Sequence, residues 1–190
     1  MLRIVPQYSS KFGHSLAIIA AATLFVGCAE QAPVAPLRMP ATGAEMSRSQ
    51  SKEVVDAITM LRNATGRYHN IELAKKDGFV LLHECENRPG EGPVGTVYVN
   101  IERLLDGKID PTSPDALIYE PQNDGGLQLV GAEFAVPYAL WTQTDPPKFL
   151  GATFQHEDEF GVFALHAWVW RQNPEGLFAE TNPNVSCGVN

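Results

Sequence analysis

Apolar positions fall into three regimes along the chain of 190 residues. Residues 15–27 (SLAIIAAATLFVG) form one dense run, and residues 30–50 show no sustained period. From Ser51 the apolar positions Val54, Val55, Ile58 and Leu61 recur at helical spacing, with an interruption expected across residues 63–66. A second helix through Tyr68, Ile71 and Ala74 is expected to end at Gly78, the residue type that tolerates the left-handed conformation after a helix. Beyond Gly78 the pattern changes to short runs at 79–85, 96–101, 117–120, 127–136, 149–155 and 160–170. These are rich in β-branched and aromatic residues and bounded by Gly, Pro, Asn and Asp, so they predict strands. Asn123-Asp124-Gly125-Gly126 predicts a hairpin turn between the third and fourth. The expectation is a single α+β domain over residues 51–190, with N-terminal helices followed by a mostly antiparallel β-sheet. At roughly 140 residues such a domain can bury enough surface to fold without a metal staple.

The first run changes the picture of where the protein resides. Residues 1–14 are polar and carry Arg3 and Lys11, and the apolar run after them is shorter than the roughly 20 residues a bilayer-spanning helix needs. This is the layout of a signal peptide, residues 1–27. Its end, Val26-Gly27-Cys28, resembles a bacterial lipobox, with Leu24 one place early and Phe25 where an aliphatic residue is usual. The resemblance implies that Cys28 is the lipidation site and the first residue of the mature chain. An ordinary signal peptide with a chance cysteine, or an uncleaved anchor, is the competing reading. Each buried acyl CH₂ contributes ~0.8 kcal/mol, so two or three palmitate-like chains would hold the protein on a membrane. Residues 28–50, rich in Pro, Ala and small polar side chains, read as a flexible tether. Ala29, in the place where Asp retains lipoproteins at the inner membrane in the enterobacterial scheme, points to the outer membrane, facing the periplasm.

Hydrophobic content of 44% with 19% charged residues is that of a globular chain rather than a disordered one. Losing Arg3 and Lys11 with the signal peptide leaves 12 basic against 22 acidic residues, a net charge of −10. That balance argues against a nucleic-acid partner and against a polybasic membrane contact. The membrane is then a partner through lipid alone.

With Cys28 assigned to lipid, Cys85 and Cys187 remain, and an oxidising compartment predicts one disulfide between them. Two buried thiols or a redox pair are the alternatives, although no Cys-x-x-Cys is present. The candidate metal ligands are His69, His83, His156, His166 and Glu157, since imidazole and carboxylate together can hold a divalent metal. Their spacing matches no known zinc pattern, and a strand histidine is more often a hydrogen-bonded core residue. If residues 160–170 are one strand, His166 shares a face with Trp168 and Trp170, and His83, His156, His166, Trp168 and Trp170 are the candidate ligand-binding residues. Residues 90–95 match Gly-x-Gly-x-x-Gly, but they precede a predicted strand rather than a helix and include Pro93, so they read as a loop.

Tyr68-His69 with Asp77-Gly78-Phe79, Tyr98-Val99-Asn100, Leu117-Ile118-Tyr119-Glu120-Pro121, Leu129-Val130-Gly131-Ala132-Glu133-Phe134, Leu165-His166-Ala167-Trp168-Val169-Trp170, Asn173-Pro174-Glu175-Gly176-Leu177-Phe178 and Asn182-Pro183-Asn184-Val185-Ser186-Cys187 carry a resemblance. Together they resemble an uncharacterised family of bacterial secreted and lipoprotein domains. The resemblance implies one intact domain and no particular activity. Two functions remain open. One is a binding module of the cell envelope for a small molecule, a metal or another envelope protein. The other is a metal-assisted enzyme using those histidines with Glu133 or Glu157.

Overall fold

The computed structural model describes residues 43–188, with side chains from residue 50 onward. Cys28, the signal peptide and most of the tether lie outside the described residues. Helix α1 (Gly43–Thr65) tightens into a 3-10 turn (Gly66–His69), and a short helix α2 (Ile71–Lys76) follows. α1 thus begins ahead of Ser51, which lies inside the helix rather than at its cap. Its buried side chains are Ala57, Leu61 and Thr65, with Val54, Ile58 and Ala64 half-buried on the same stripe, while Val55 faces solvent. Asn70 caps α2, its side chain accepting from the Glu72 amide at 3.0 Å. None of the described helices is long and apolar enough to cross a membrane.

Six strands form one antiparallel sheet: β1 (Phe79–Arg88), β2 (Gly92–Asn100), β3 (Ala116–Pro121), β4 (Leu127–Pro137), β7 (Gln155–Glu157) and β8 (Val162–Ala167). A short helix α3 (Ile101–Leu104) follows β2. The order across the sheet is β1-β2-β3-β4-β8-β7, and β5 (Lys148–Phe149) pairs with β6 (Ala152–Thr153) in a separate ribbon. The run at 149–155 is therefore not one strand. It is broken where Leu150 and Gly151 adopt positive φ, at 53° and 86°, which ends the pairing direction. The predicted hairpin joins β3 to β4, with the Asp124 carboxylate accepting from Gly126 N–H at 2.9 Å.

The sheet curls until its two ends meet. Arg88 of β1 reaches Glu157 of β7 through paired hydrogen bonds of 3.1 and 3.2 Å, and Glu180 at 2.6 Å. Alternation along the strands then sorts side chains into two cores. The convex face carries Leu117, Tyr119, Ala132, Phe134, Leu165 and Ala167, packed under Leu61 of α1, Tyr68 and Ala74. The concave face carries Val97, Val99, Ala116, Ile118 and Val130, joined by Trp168 and Val185, with Ala135, Val162 and Ala164 beyond.

Gly95 is required by the curl. Its φ is +95°, and a Cβ there would sit 2.8 Å from Ile118 Cγ2 and 2.9 Å from the Tyr119 carbonyl. The Gly-x-Gly-x-x-Gly stretch is thus the β1–β2 turn and the start of β2, as its strand context predicts. Residues 171–188 fold back across the concave face. Asn182 N–H donates to the Pro93 carbonyl at 3.1 Å, Thr181 Oγ1 donates to the Glu91 carbonyl at 2.6 Å, and Glu120 accepts from Ser186 N–H at 2.9 Å while pairing with Arg171. A disulfide between Cys85 and Cys187 fixes the end of this segment to β1, with Cα atoms 5.2 Å apart.

Candidate functional site

An acidic and a basic side chain meet on the concave face because of strand register. Glu133 of β4 stands directly opposite His166 of β8, and the pair closes to 3.5 Å between Oε2 and Nε2. His166 is 6% exposed, and its Nδ1 lies 2.5 Å from the Glu180 carbonyl. A carbonyl can only accept, so Nδ1 carries a proton. Nε2 faces a carboxylate, which also accepts, and the geometry therefore suits an imidazolium. Burial opposes the charged ring, but the bonds to Glu133 and the Glu180 carbonyl outweigh it and hold the His166 pKa above its ordinary value.

Asp115 precedes β3 and extends its ladder: its carbonyl accepts from Asn100 N–H at 2.8 Å and its N–H donates to the Glu133 carbonyl at 3.0 Å. Its Oδ2 accepts from Ala135 N–H at 2.8 Å. The side chain is shut away at 1% exposure, and burial pushes its pKa up to about 7, helped by the charges of Glu133 and Asp106 and opposed by the Ala135 bond and by Arg103.

Asp115 and Glu133 border a cavity of about 160 Å³. Its walls are Val99, Leu104, Ala116, Ala135 and Val162, and the more exposed Leu82, Ile101 and Phe160 form the rim. The His83 ring stacks on Phe160 with centroids 6.1 Å apart, at the outer edge of that rim.

On the other side of His166 lies a second charged group. Arg88 holds Glu157 and Glu180 together at the seam of the sheet. Burial raises both carboxyls. For Glu157 the Arg88 bonds prevail and its pKa falls, whereas contact with Glu157 leaves that of Glu180 raised. One guanidinium thus stabilises one carboxylate fully, and the other keeps its proton longer. The space between Glu157, Glu180 and His166 is about 10 Å³, barely room for a water.

The sequence-derived candidates separate into several places. His166 and Glu157 line the same small space, and His166 contacts Trp168 at 5.8 Å between centroids. Trp168 is anchored by its indole N–H donating to the Ala179 carbonyl at 2.6 Å. Trp170 does not share their face. β8 ends at Ala167, and Trp170 turns to the convex side, donating to Thr65 Oγ1 at 3.0 Å and meeting the His69 ring at 4.6 Å. His156 is also convex, against Tyr138 and Phe163, with centroids 5.7 and 4.7 Å away. Among the described residues no three His, Cys, Asp or Glu side chains come together in a way that could hold a metal ion. Sequence reasoning missed Asp115, Arg88 and Glu180. Asp115 follows a Ser-Pro pair that reads as loop, and the other two act across contacts 69 and 92 residues apart.

Compared with family models, curated proteins and solved structures, the chain matches none.

Proposed function

We propose that this protein is an exported lipoprotein, anchored through acylated Cys28, whose curled sheet serves as a binding module for a small molecule in the cell envelope. The tether ahead of α1 and the outer-membrane placement belong to the same proposal, as does membership of the family of secreted domains that the sequence resembles. The observation that carries the binding function is the cavity at Asp115 and Glu133. The rest of the concave face is filled by Val97, Ile118, Val130, Trp168 and Val185, yet here about 160 Å³ stays open between apolar walls and two carboxylates. A mostly apolar pocket with a few convergent polar groups is the usual form of a small-molecule site. The metal-assisted alternative has no comparable support, because its ligands fall on both faces of the sheet.

Two measurements test this reading. Metabolic labelling with a palmitate analogue should mark the wild-type protein and not Cys28→Ser, and a wild-type protein that takes up no label would remove the lipid anchor. Ile101→Trp adds bulk at the rim, at a position 47% exposed, where the fold tolerates it. It should abolish binding of a small aromatic probe such as toluene; equal binding by the variant would place the ligand site elsewhere.

A further inference from the structure

We infer that the ligand of this cavity is a small monocation with an apolar body, an alkyl- or arylalkylammonium, its head between Asp115 and Glu133. The inference deepens the proposed binding function and rests on it. Among the described lining residues the charged ones are both acids, and the remaining walls are aliphatic or aromatic. Asp115 leaves a hydrogen-bonding valence open there. Oδ2 is taken by Ala135 N–H, whereas Oδ1 has no hydrogen-bond partner among the described residues, although the residue is 1% exposed. Arg103, whose charge acts on Asp115, spends its hydrogen bond elsewhere: it donates to the Pro114 carbonyl at 3.0 Å and lies over the Phe79 ring at 4.9 Å. His166 serves the Glu133 side from β8.

A carboxylate oxygen that faces an apolar cavity rather than bulk water gains from a donor or a countercharge, and an ammonium brings both. A neutral apolar ligand would leave Oδ1 unsatisfied, and an anion would meet two acids. The Phe160 ring at the rim adds an aromatic face that attracts cations. The size also fits, since an apolar cavity of roughly 150 Å³ accommodates a benzene ring.

The test uses the full wild-type chain purified in detergent, with titration calorimetry of three probes of one shape: benzylamine, toluene and benzoate. Benzylamine should bind about tenfold or more tighter than toluene, and benzoate should not bind. Asp115→Asn should weaken benzylamine about tenfold and leave toluene within about twofold, and Glu133→Gln should act in the same direction should the first variant fold poorly. Toluene binding as well as benzylamine, or both carboxamide variants keeping full benzylamine affinity, would overturn the ammonium while leaving the cavity as a ligand site. Failure of all three probes to bind the folded wild-type chain would overturn the cavity reading as well.

Discussion

Asp115→Asn separates the charge of this residue from its place in the fold. The side chain amide keeps an oxygen for Ala135 N–H, so the β3–β4 connection survives. What changes is the titration. Asp115 rises from an ordinary 3.8 to about 7 in the folded chain. At about 1.4 kcal/mol for each tenfold in proton affinity, that difference makes the ionised form cost about 4 kcal/mol, an upper figure since the cavity admits some water. The folded state binds the proton more tightly than the unfolded state. The stabilisation is therefore complete below pH 3.8 and lost as pH rises through about 7. Glu133 on β4 and Asp106 after α3 strengthen the effect, and Arg103 on α3 weakens it. Urea unfolding with the disulfide intact, from pH 4 to pH 8, reads it out. Relative to wild type, Asp115→Asn should gain about 2 to 4 kcal/mol of stability between those two ends. Comparing the ends cancels any constant effect of the new NH₂ group. Parallel stability curves for the two proteins would refute the assignment of a buried, proton-binding Asp115.

His166→Gln should cost most at low pH: the folded pKa is raised, so the imidazolium contribution is complete below about 6.5 and fades as pH rises through the folded value. A loss of stability that does not vary between pH 5.5 and pH 9 in denaturant titrations would argue against the charged pair with Glu133. Replacing Cys85 and Cys187 together by Ala should lower stability by about 4 to 5 kcal/mol, the chain-entropy figure for a loop of 102 residues, and intact mass with and without reductant reports the bond directly. Arg88→Met leaves Glu157 and Glu180 facing each other without a cation. It should destabilise by about 3 kcal/mol at pH 7 and by much less near pH 4, where the acids protonate. Equal loss at both values would mean that Arg88 contributes packing rather than charge.

Local signals account for much of the sheet. β4 matches its predicted run to within a residue because a short apolar run and the Asn123–Gly126 turn before it agree. β1 and β3 are marked by apolar runs bounded by turn residues. The disulfide follows from counting thiols once Cys28 is set aside, and the structure contains it. Other features leave no local trace. The break at Leu150–Gly151 is a backbone event inside an apolar run, and Trp170 leaves the face of His166 because β8 stops three residues earlier than the hydrophobic run does. The site was legible only in part. His166 and Glu133 both stood out as chemistry-bearing residues, but their meeting depends on the β4–β8 register, which no single segment encodes. Asp115 gained its burial from neighbours on β4 and α3, so nothing beside it in sequence marks it.

The way the sheet closes also sets an order of assembly. β2, β3 and β4 each pair with the strand before them in the chain, so these contacts close over connections far shorter than those of the seam. The seam is different: Arg88 must find partners 69 and 92 residues away, and Cys85 a partner 102 residues away. Until those distant partners arrive, the row Val97, Ile118 and Val130 has no cover from Trp168 and Val185. An open, sticky sheet is thus the expected late intermediate, and oxidation of the two thiols is the step that retires it. Refolding under reducing conditions should accordingly lengthen the lifetime of that form and concentrate aggregation there.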